Sequence, residues 1–312
     1  MKTLWIGLAI ALAVFVLLEL SLRALGLGRP LIYLADAEIG YRLVPHQRTH
    51  RFGKRIWINE YSMRSPAIAP QPPAQTGRVL LLGDSVANGA WWTDQEATIS
   101  AHMERWLTAA TGHPVEVLNA SANSWNPRNE AAYVRRFGTF GAQAIALLIN
   151  TDDLFGIAPT SLLVGRDRNY PDRHQPLALL TVYQRYLVKQ RPIPGWDEAL
   201  AEGGDRVGFH LEAIAALHQQ AQATGAALLL GRTPLLRELE PSGPRDYELQ
   251  ARKRLQAFTQ AQAIPYLDFL PQFRQDPHPQ RLFRDHIHLS AAGNQWVARA
   301  LAQAVQRVLP TP

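Results

Sequence analysis

The sequence predicts an α/β protein with a doubly wound, three-layer α/β/α fold built on a mainly parallel five-stranded sheet. The first observation is that short, continuous apolar runs alternate with segments of helical periodicity from about residue 78 onward. Such runs are typical of parallel strands that are buried on both faces. The second observation is that several of the helical segments end in glycine, a common helix terminator. An apolar stretch at the amino terminus adds a predicted transmembrane helix.

Residues 1–27 form the predicted membrane anchor. Leu4 to Leu18 are all apolar or glycine, and after Glu19 the apolar pattern continues past Arg23. With Glu19 near the interface, the segment reaches the roughly 20 residues that a membrane helix needs. No small-residue cleavage site directly follows, so an uncleaved anchor is favoured over a removed signal peptide. A buried amphipathic helix is the third alternative, since apolar residues occupy every face.

Charge does not orient this segment, because Lys2 precedes it while Arg23 and Arg29 follow it. Residues 28–77 then form a mixed segment. It contains β-like pieces such as "RIWINEY" and ends in the proline-rich stretch "PAIAPQPPAQTG", which is typical of an extended linker. The main domain is predicted to span 78–312.

Within the main domain the predicted strands and helices alternate. The predicted strands are 78–82, 115–119, 144–150, 226–232 and 264–269. The predicted helices are 96–111, with Gly112 as its terminator, 129–141, 205–225, 247–262 and 291–309. Ligands of such folds bind beyond the carboxyl ends of the strands, where the strand order reverses. The segment 154–205 is longer than an ordinary connection and is interpreted as a lid or substrate wall.

Composition excludes several classes of function. The chain has 32 lysines and arginines against 26 aspartates and glutamates, a formal net charge of +6, but the basic residues are scattered. This argues against nucleic acid as a partner. The absence of cysteine excludes a cysteine nucleophile, a thiolate metal site and disulfide bonds. The alternating histidines His286 and His288 lack an evident third ligand, so no metal or other cofactor is expected.

Ser85 directly follows the first strand in "RVLLLGDSVANG" and admits two interpretations. It caps the next helix, as serine often does, or it is a nucleophile at the ligand-binding edge. The second interpretation needs a base, and "FRDHIHLSAAG" offers one. Asp285 and His288 are spaced so that the carboxylate can reach the imidazole Nδ1 and leave Nε2 free for a serine. Ser290 is the predicted cap of the last helix. Asp84 is expected to stabilise the turn around Ser85 by accepting hydrogen bonds from backbone N–H groups.

"LLGDS" and "DHIHLSAAGNQWVA" together resemble the SGNH hydrolases, also called the GDSL esterase/lipase family. The resemblance covers about 78–308, and "EIGYRLVP…INEYSMRS" is similar to a membrane-anchored bacterial subgroup. It implies a flavodoxin-like SGNH fold and a catalytic triad. Ser85 would be the nucleophile, His288 the general base and acid, and Asp285 the residue that orients His288.

The resemblance also implies an oxyanion hole, from which this chain departs at two positions. The backbone N–H of Ser85 would be one donor. Ser124 stands where the family has a glycine, and Asp152 stands where it has an asparagine. An ionised carboxylate cannot donate a hydrogen bond. Either Asp152 is protonated, or Asn150 or Asn123 supplies the amide, or the hole is degenerate; a neighbouring asparagine is the favoured alternative.

The predicted function is that of a membrane-anchored serine esterase or deacetylase acting through an acyl-enzyme. Its expected substrate is a small ester or an acylated carbohydrate, and its expected place is the bacterial inner membrane, single-pass, with the catalytic domain in the periplasm. The alternatives are a carbohydrate O-acetyltransferase of the same fold and a catalytically degenerate binding protein.

Other conspicuous side chains are interpreted as structural. Trp91 and Trp92 are expected to pack in the core or a lid rather than to bind substrate. His210 and His218 are expected on the surface of their helix, and His286 is expected to be exposed or packed rather than catalytic.

Overall fold

The amino-terminal helix contributes no side chain to the hydrophobic core clusters of the main domain. The structure, a computed structural model, describes residues 1–309. Helix α1 (Lys2–Ala24) is long and apolar enough to cross a membrane, and almost all of its side chains are exposed. The core helix of a soluble protein or a signal sequence can have the same length and composition. A core helix would be mostly buried, whereas α1 is mostly exposed.

Two β-hairpins follow α1 and pack against the main domain. The first pairs β1 (Tyr33–Asp36) with β2 (Gly40–Leu43), and the second pairs β3 (Arg48–Arg51) with β4 (Lys54–Trp57). Their inward side chains join the same hydrophobic core as the first strand of the main sheet. Residues 66–76 contain neither helix nor strand.

The central sheet has five parallel strands, which confirms the predicted fold class. The strands are β5 (Gly77–Gly83), β6 (Val115–Ser121), β7 (Ala144–Asn150), β8 (Ala227–Thr233) and β9 (Tyr266–Asp268). Their order across the sheet is β6-β5-β7-β8-β9. The chain leaves β5 in one direction to form β6 and then returns to the other side to form β7. This reversal places a crevice beyond the carboxyl end of β5, where ligands of doubly wound folds bind.

Helices cover both faces of the sheet. The helices after α1 are α2 (Ser85–Asn88), α3 (Ile99–Thr111), α4 (Pro127–Phe137), α5 (Ala178–Tyr186), α6 (Trp196–Leu200), α7 (Arg206–Ala223), α8 (Asp246–Ala261), α9 (Phe269–Phe273) and α10 (Ala291–Gln306), of which α5 and α6 lie in the long connection after β7. Helices α3, α9 and α10 contribute to one core cluster, and α4, α7 and α8 to the other. Gly112 ends α3 with φ of 72°, and Ser290 caps α10, both as predicted.

Glu19, the acidic residue within α1, attaches that helix to the main domain. Its carboxylate accepts hydrogen bonds from the backbone N–H groups of Ala178 (2.8 Å) and Leu179 (2.9 Å), at the start of α5. Arg23 pairs with Glu19 and also donates to the Pro176 carbonyl oxygen. No side chain caps α5 from within its own segment. Glu19 therefore satisfies N–H groups that a helix amino terminus leaves free.

His210 on α7 is fully buried, so the prediction that it lies on the surface is wrong. Its Nε2 lies 3.0 Å from the Gly156 carbonyl oxygen. Burial lowers the pKa of His210 to about 4, although the bond to Gly156 acts in the opposite direction. The ring is therefore neutral at physiological pH and ties α7 to the segment after β7. His218, on the same helix, is partly exposed.

Candidate active site

Ser85 lies at the carboxyl end of β5, in the turn that starts α2. The cap of α2 is Asp84, whose Oδ1 accepts a hydrogen bond from the Val86 backbone N–H at 2.8 Å. The interpretation of Ser85 as the helix cap is therefore wrong. Ser85 is the first helical residue, and its hydroxyl is free for another partner.

That partner is His288. Ser85 Oγ lies 2.9 Å from His288 Nε2, and His288 Nδ1 lies 2.9 Å from Asp285 Oδ2. The three side chains thus have the connectivity of a Ser-His-Asp triad, in which the carboxylate holds the proton on Nδ1 and leaves Nε2 as acceptor. A weaker contact of 3.3 Å joins Ser85 Oγ to Asp84 Oδ2.

Asp285 is held as an anion by the loop that it belongs to. Its Oδ1 accepts hydrogen bonds from the backbone N–H groups of Ile287 (3.1 Å) and His288 (2.9 Å). Burial, the largest single influence, raises the pKa of Asp285, but these N–H groups and the His288 ring outweigh it and hold the pKa below its usual value. The carboxylate is therefore ionised and positioned to stabilise an imidazolium.

The His288 ring is also fixed from its other side. Trp92 packs edge-on against it, with ring centroids 4.6 Å apart. The backbone N–H of Arg284 donates to the His288 carbonyl oxygen, and Phe283 pairs with Leu289 in an isolated bridge just before α10. The imidazole thus belongs to a loop, residues 283–289, whose two ends are hydrogen-bonded to each other just before α10.

Ser85 and His288 line a cavity of about 340 Å³. Part of its wall comes from the segment after β6, including Asn123 and Ser124. The remaining wall comes from outside the central sheet, from the segment 29–56 with its hairpins and from the long connection after β7. The interpretation of 154–205 as a substrate wall therefore agrees with where residues 168–171 lie.

Trp91 and Trp92 line the same cavity and are only partly buried. Their loop is held by Arg64, which is buried and donates to the carbonyl oxygens of Asn88, Ala90 and Thr93. Sequence reasoning missed Arg64, although it lies within the motif "INEYSMRS". An arginine in a short motif gives no sign that it reaches a loop more than twenty residues away.

The turn that holds Asn123 and Ser124 is fixed by two tyrosines. The Tyr41 hydroxyl donates to the Asn123 carbonyl oxygen at 2.6 Å, and the Tyr170 hydroxyl donates to Ser124 Oγ at 2.8 Å. Ser124 has φ of 55°, the left-handed region in which glycine is favoured. Within residues 1–309, the side-chain amide of Asn123 donates no hydrogen bond to the protein, and Asn123 is one of the residues that line the cavity.

Asn150 and Asp152 do not reach the cavity. The Asn150 amide donates to the buried Asp84 Oδ2 at 2.9 Å, and its Oδ1 accepts from the Asp152 backbone N–H at 2.7 Å. The Asp152 side chain is exposed and lies outside the cavity lining. Of the five residues expected at the oxyanion hole, the structure brings together Ser85, Ser124 and Asn123.

Three buried carboxyl groups lie behind the Ser85 turn. Burial raises the pKa of Asp84, and it raises the pKa values of Asp153 and Glu130 well above their usual range. Both Glu130 oxygens lack a hydrogen-bond partner. Burial thus favours the protonated forms of Glu130 and Asp153, although the Asn150 backbone N–H, which donates to Asp153, lowers the pKa of Asp153.

His286 Nδ1 lies 3.8 Å from Asp285 Oδ1. Because the His286 side chain is 82% exposed, it faces solvent rather than Ser85. Within the described part of the chain, no group of three or more histidine, aspartate or glutamate residues is arranged to hold a metal ion.

Comparison with known proteins adds a family and a set of similar structures. The GDSL-like lipase/acylhydrolase family matches residues 81–296. An acetyl xylan esterase, AlAXEase, is 15% identical, with 73% of this chain and 99% of that chain covered and a TM-score of 0.49. TesA is 15% identical, with 74% and 99% covered and a TM-score of 0.48. A lipase/acylhydrolase from Enterococcus faecalis is 13% identical, with 76% and 98% covered and a TM-score of 0.44. A search of curated proteins gave no significant match.

Proposed function

Because the chain belongs to the GDSL-like lipase/acylhydrolase family, we propose that it is a serine esterase whose catalytic residues are Ser85, His288 and Asp285. The observation that carries this proposal is the unbroken chain of contacts from Ser85 Oγ through the His288 ring to Asp285, with 2.9 Å at each step. A serine hydroxyl needs such a base, because it is a weak nucleophile in its protonated form.

In the first step Ser85 Oγ attacks the ester carbonyl while His288 Nε2 takes the hydroxyl proton. Asp285 stabilises the imidazolium that forms and keeps its ring oriented. His288 then gives the proton to the departing alcohol, which leaves an acyl-enzyme on Ser85. A water molecule, deprotonated by the same Nε2, attacks the acyl carbon; the bond to Ser85 Oγ then breaks, His288 returns the proton to Ser85 Oγ, and the acid is released.

The negative charge on the carbonyl oxygen needs hydrogen-bond donors in the cavity. We assign three: the backbone N–H groups of Ser85 and Ser124 and the side-chain amide of Asn123. The support is that Asn123 and Ser124 line the cavity beside Ser85, whereas the Asn150 amide is already donated to Asp84. This assignment favours a working enzyme over a degenerate binding protein.

Hydrolysis of p-nitrophenyl acetate by the detergent-solubilised full chain tests the proposal. Ser85→Ala is expected to lower kcat/KM by at least about 10³-fold, because the nucleophile is lost. A rate that is unchanged in Ser85→Ala would show that the ester is cleaved elsewhere.

We further propose that α1 anchors the enzyme in the bacterial inner membrane with the catalytic domain in the periplasm, where it acts on a small acyl ester such as an acetylated carbohydrate. The support for anchoring is the exposed apolar surface of α1. An alkaline phosphatase fusion at the carboxyl terminus, which is active only in the periplasm, tests the orientation. An inactive fusion, with a cytoplasmic reporter active at the same position, would contradict it.

A further inference from the structure

The cavity that holds Ser85 has a strongly cationic wall. Four arginines line it: Arg29, Arg51, Arg168 and Arg185. No aspartate or glutamate is among its lining residues. An excess of one sign of charge, in a cleft with low-dielectric walls, attracts ligands of the opposite sign.

Arg51 is the most deeply placed cation that the cavity lining offers for a ligand. The residue is only 9% exposed, and its Nε has no hydrogen-bond partner. Within residues 1–309 no carboxylate forms an ion pair with it. Its guanidinium carbon lies 5.2 Å from the centroid of the Phe52 ring and 5.3 Å from that of Trp91. These rings position the guanidinium but do not neutralise it.

A buried cation without a counterion is costly, and proteins normally pair it. Burial lowers the pKa of Arg51, and the nearby Arg185 cation lowers it further, against an opposing effect of Tyr186. Arginine nonetheless keeps its charge, because its pKa remains far above neutrality. Arg51 thus lies beside a like charge in a cavity with no acidic residue.

Arg168 and Arg185 are built into the wall rather than mobile on the surface. Arg168 donates to the carbonyl oxygens of Arg185 (2.6 Å) and Val188 (3.2 Å). Arg185 donates to the Arg168 carbonyl oxygen (3.2 Å) and to Asn169 Oδ1 (3.1 Å). The turn that holds Arg168 and the helix α5 that holds Arg185 therefore fix each other's arginine.

The cationic wall is connected to the catalytic residues. Trp91 lies over Arg51 and contacts Trp92 with ring centroids 5.5 Å apart, and Trp92 contacts His288. None of the four arginines lies on a strand of the central sheet. Arg29 and Arg51 precede the family match at 81–296, and the other two lie in the connection after β7.

We propose that this cavity binds an anionic oxygen group (carboxylate, sulfate or phosphate) carried by the ester substrate, with Arg51 as its principal contact. Guanidinium groups suit such groups, because their planar N–H donors match two oxygens at once. This inference rests on the proposed esterase function and narrows its substrate class to acidic esters. The shared chemistry is that of an acidic saccharide or of an anionic lipid headgroup.

The test compares two esters with the same acyl group, 4-acetoxybenzoate, which is anionic, and 4-acetoxybenzamide, which is neutral. The detergent-solubilised full chain is expected to hydrolyse the anionic ester with at least a tenfold higher kcat/KM, mainly through a lower KM. Arg51→Gln is expected to remove that preference, so that the ratio of the two kcat/KM values falls to about one. Equal rates on both esters in the wild type would overturn the proposal while leaving the esterase function intact.

Variants and controls keep this test decisive. Arg299→Gln, an exposed arginine on α10 away from the cavity, is the matched control and should keep the preference. If Arg51→Gln does not fold, Arg29→Gln provides a second test. Arg29 is exposed at the cavity wall, and its replacement should reduce the preference at least threefold. An unaltered preference in folded Arg51→Gln or in folded Arg29→Gln would contradict the proposal.

A binding measurement separates failure of the inference from failure of the catalytic assignment. In Ser85→Ala, titration with 4-hydroxybenzoate should quench tryptophan fluorescence, because Trp91 lies over Arg51, and 4-hydroxybenzamide should do so much more weakly. The same quenching by both would overturn the anion site even if no ester is hydrolysed. If only 4-hydroxybenzoate quenches the fluorescence, competitors identify the natural ligand. Displacement of 4-hydroxybenzoate by oligogalacturonate would assign the site to acidic saccharides, and displacement by phosphatidylglycerol vesicles would assign it to lipid headgroups.

Discussion

The Nε2 atom of His288 lies 2.9 Å from the Oγ atom of Ser85, although 203 residues separate them in the chain. The sheet brings them together: Ser85 ends the central strand β5, and the loop before α10 returns over the same edge. Asp285 lies three residues before His288 and fixes the ring from behind. The arrangement leaves one nitrogen of His288 free to act on Ser85.

The role of Asp285 predicts a specific effect for Asp285→Asn. Asparagine keeps an oxygen for the two backbone N–H groups, but its amide forces His288 Nδ1 to accept, so that Nε2 carries the proton. We expect kcat on p-nitrophenyl acetate to fall by roughly 10²- to 10⁴-fold with little change in KM. Thermal unfolding serves as the control, and an unchanged kcat in a folded variant would exclude a role for Asp285.

The two asparagines that could supply the oxyanion donor are predicted to differ. Asn123→Ala should lower kcat by roughly 10²-fold with little effect on stability, because Asn123 lines the cavity and its amide stabilises no other part of the described protein. Asn150→Ala should instead reduce the free energy of unfolding by about 1–3 kcal/mol, since it removes a donor from buried Asp84. Steady-state kinetics and denaturant titrations of both variants distinguish these effects, and the reverse pattern would make Asn150 the donor.

The burial of Glu130 predicts a pH-dependent stability. Its pKa is raised above its ordinary value of 4.5, so the folded state holds the proton more tightly than the unfolded state. This contribution is fully present below pH 4.5 and is lost as pH rises toward the folded pKa, by about 1.4 kcal/mol per pH unit.

Glu130→Gln removes this titration and leaves a neutral group of similar shape. The variant should therefore lose less stability than the wild type between pH 5 and pH 8. Denaturant titrations at several pH values measure the difference, and parallel curves for the two proteins would show that Glu130 does not titrate in this way.

The contact between Glu19 and α5 predicts that α1 positions the cavity wall. Glu19→Ala should lower the Tm of the detergent-solubilised chain, because two N–H groups of α5 lose their acceptor. It should also speed limited proteolysis between residues 157 and 190. Glu19→Gln, which keeps a carbonyl oxygen, should show a smaller effect. Equal proteolysis in all three proteins would mean that α1 does not stabilise this wall.

Much of the architecture could be predicted because its signals are local. Continuous apolar runs identify buried parallel strands, and Gly112 and Ser290 mark helix ends through their own backbone and side-chain preferences. Asp285 and His288 are close in sequence, so their contact follows from spacing. The predicted strand 264–269 is longer than β9 because only Tyr266–Asp268 pairs with β8, and Phe269 already begins α9.

The rest depends on contacts between distant segments. Asn123 and Asn150 both follow strands, and only the hydrogen bond from Asn150 to Asp84 distinguishes their roles. His210 occupies a helix whose pattern does not separate its buried face from its exposed one. Arg51 lies in a hairpin before the main domain, and nothing in its sequence indicates that it joins the cavity of Ser85.

The most direct test of the central claim is covalent labelling by a fluorophosphonate probe, which reacts with serines that a neighbouring base activates. The expected result is a single adduct on the peptide that contains Ser85, located by mass spectrometry. Ser85→Ala and His288→Ala should not be labelled, whereas His286→Ala, which alters the exposed neighbouring histidine, should be labelled like the wild type. Folded wild-type protein that stays unlabelled, or that is labelled equally after His288→Ala, would contradict the account.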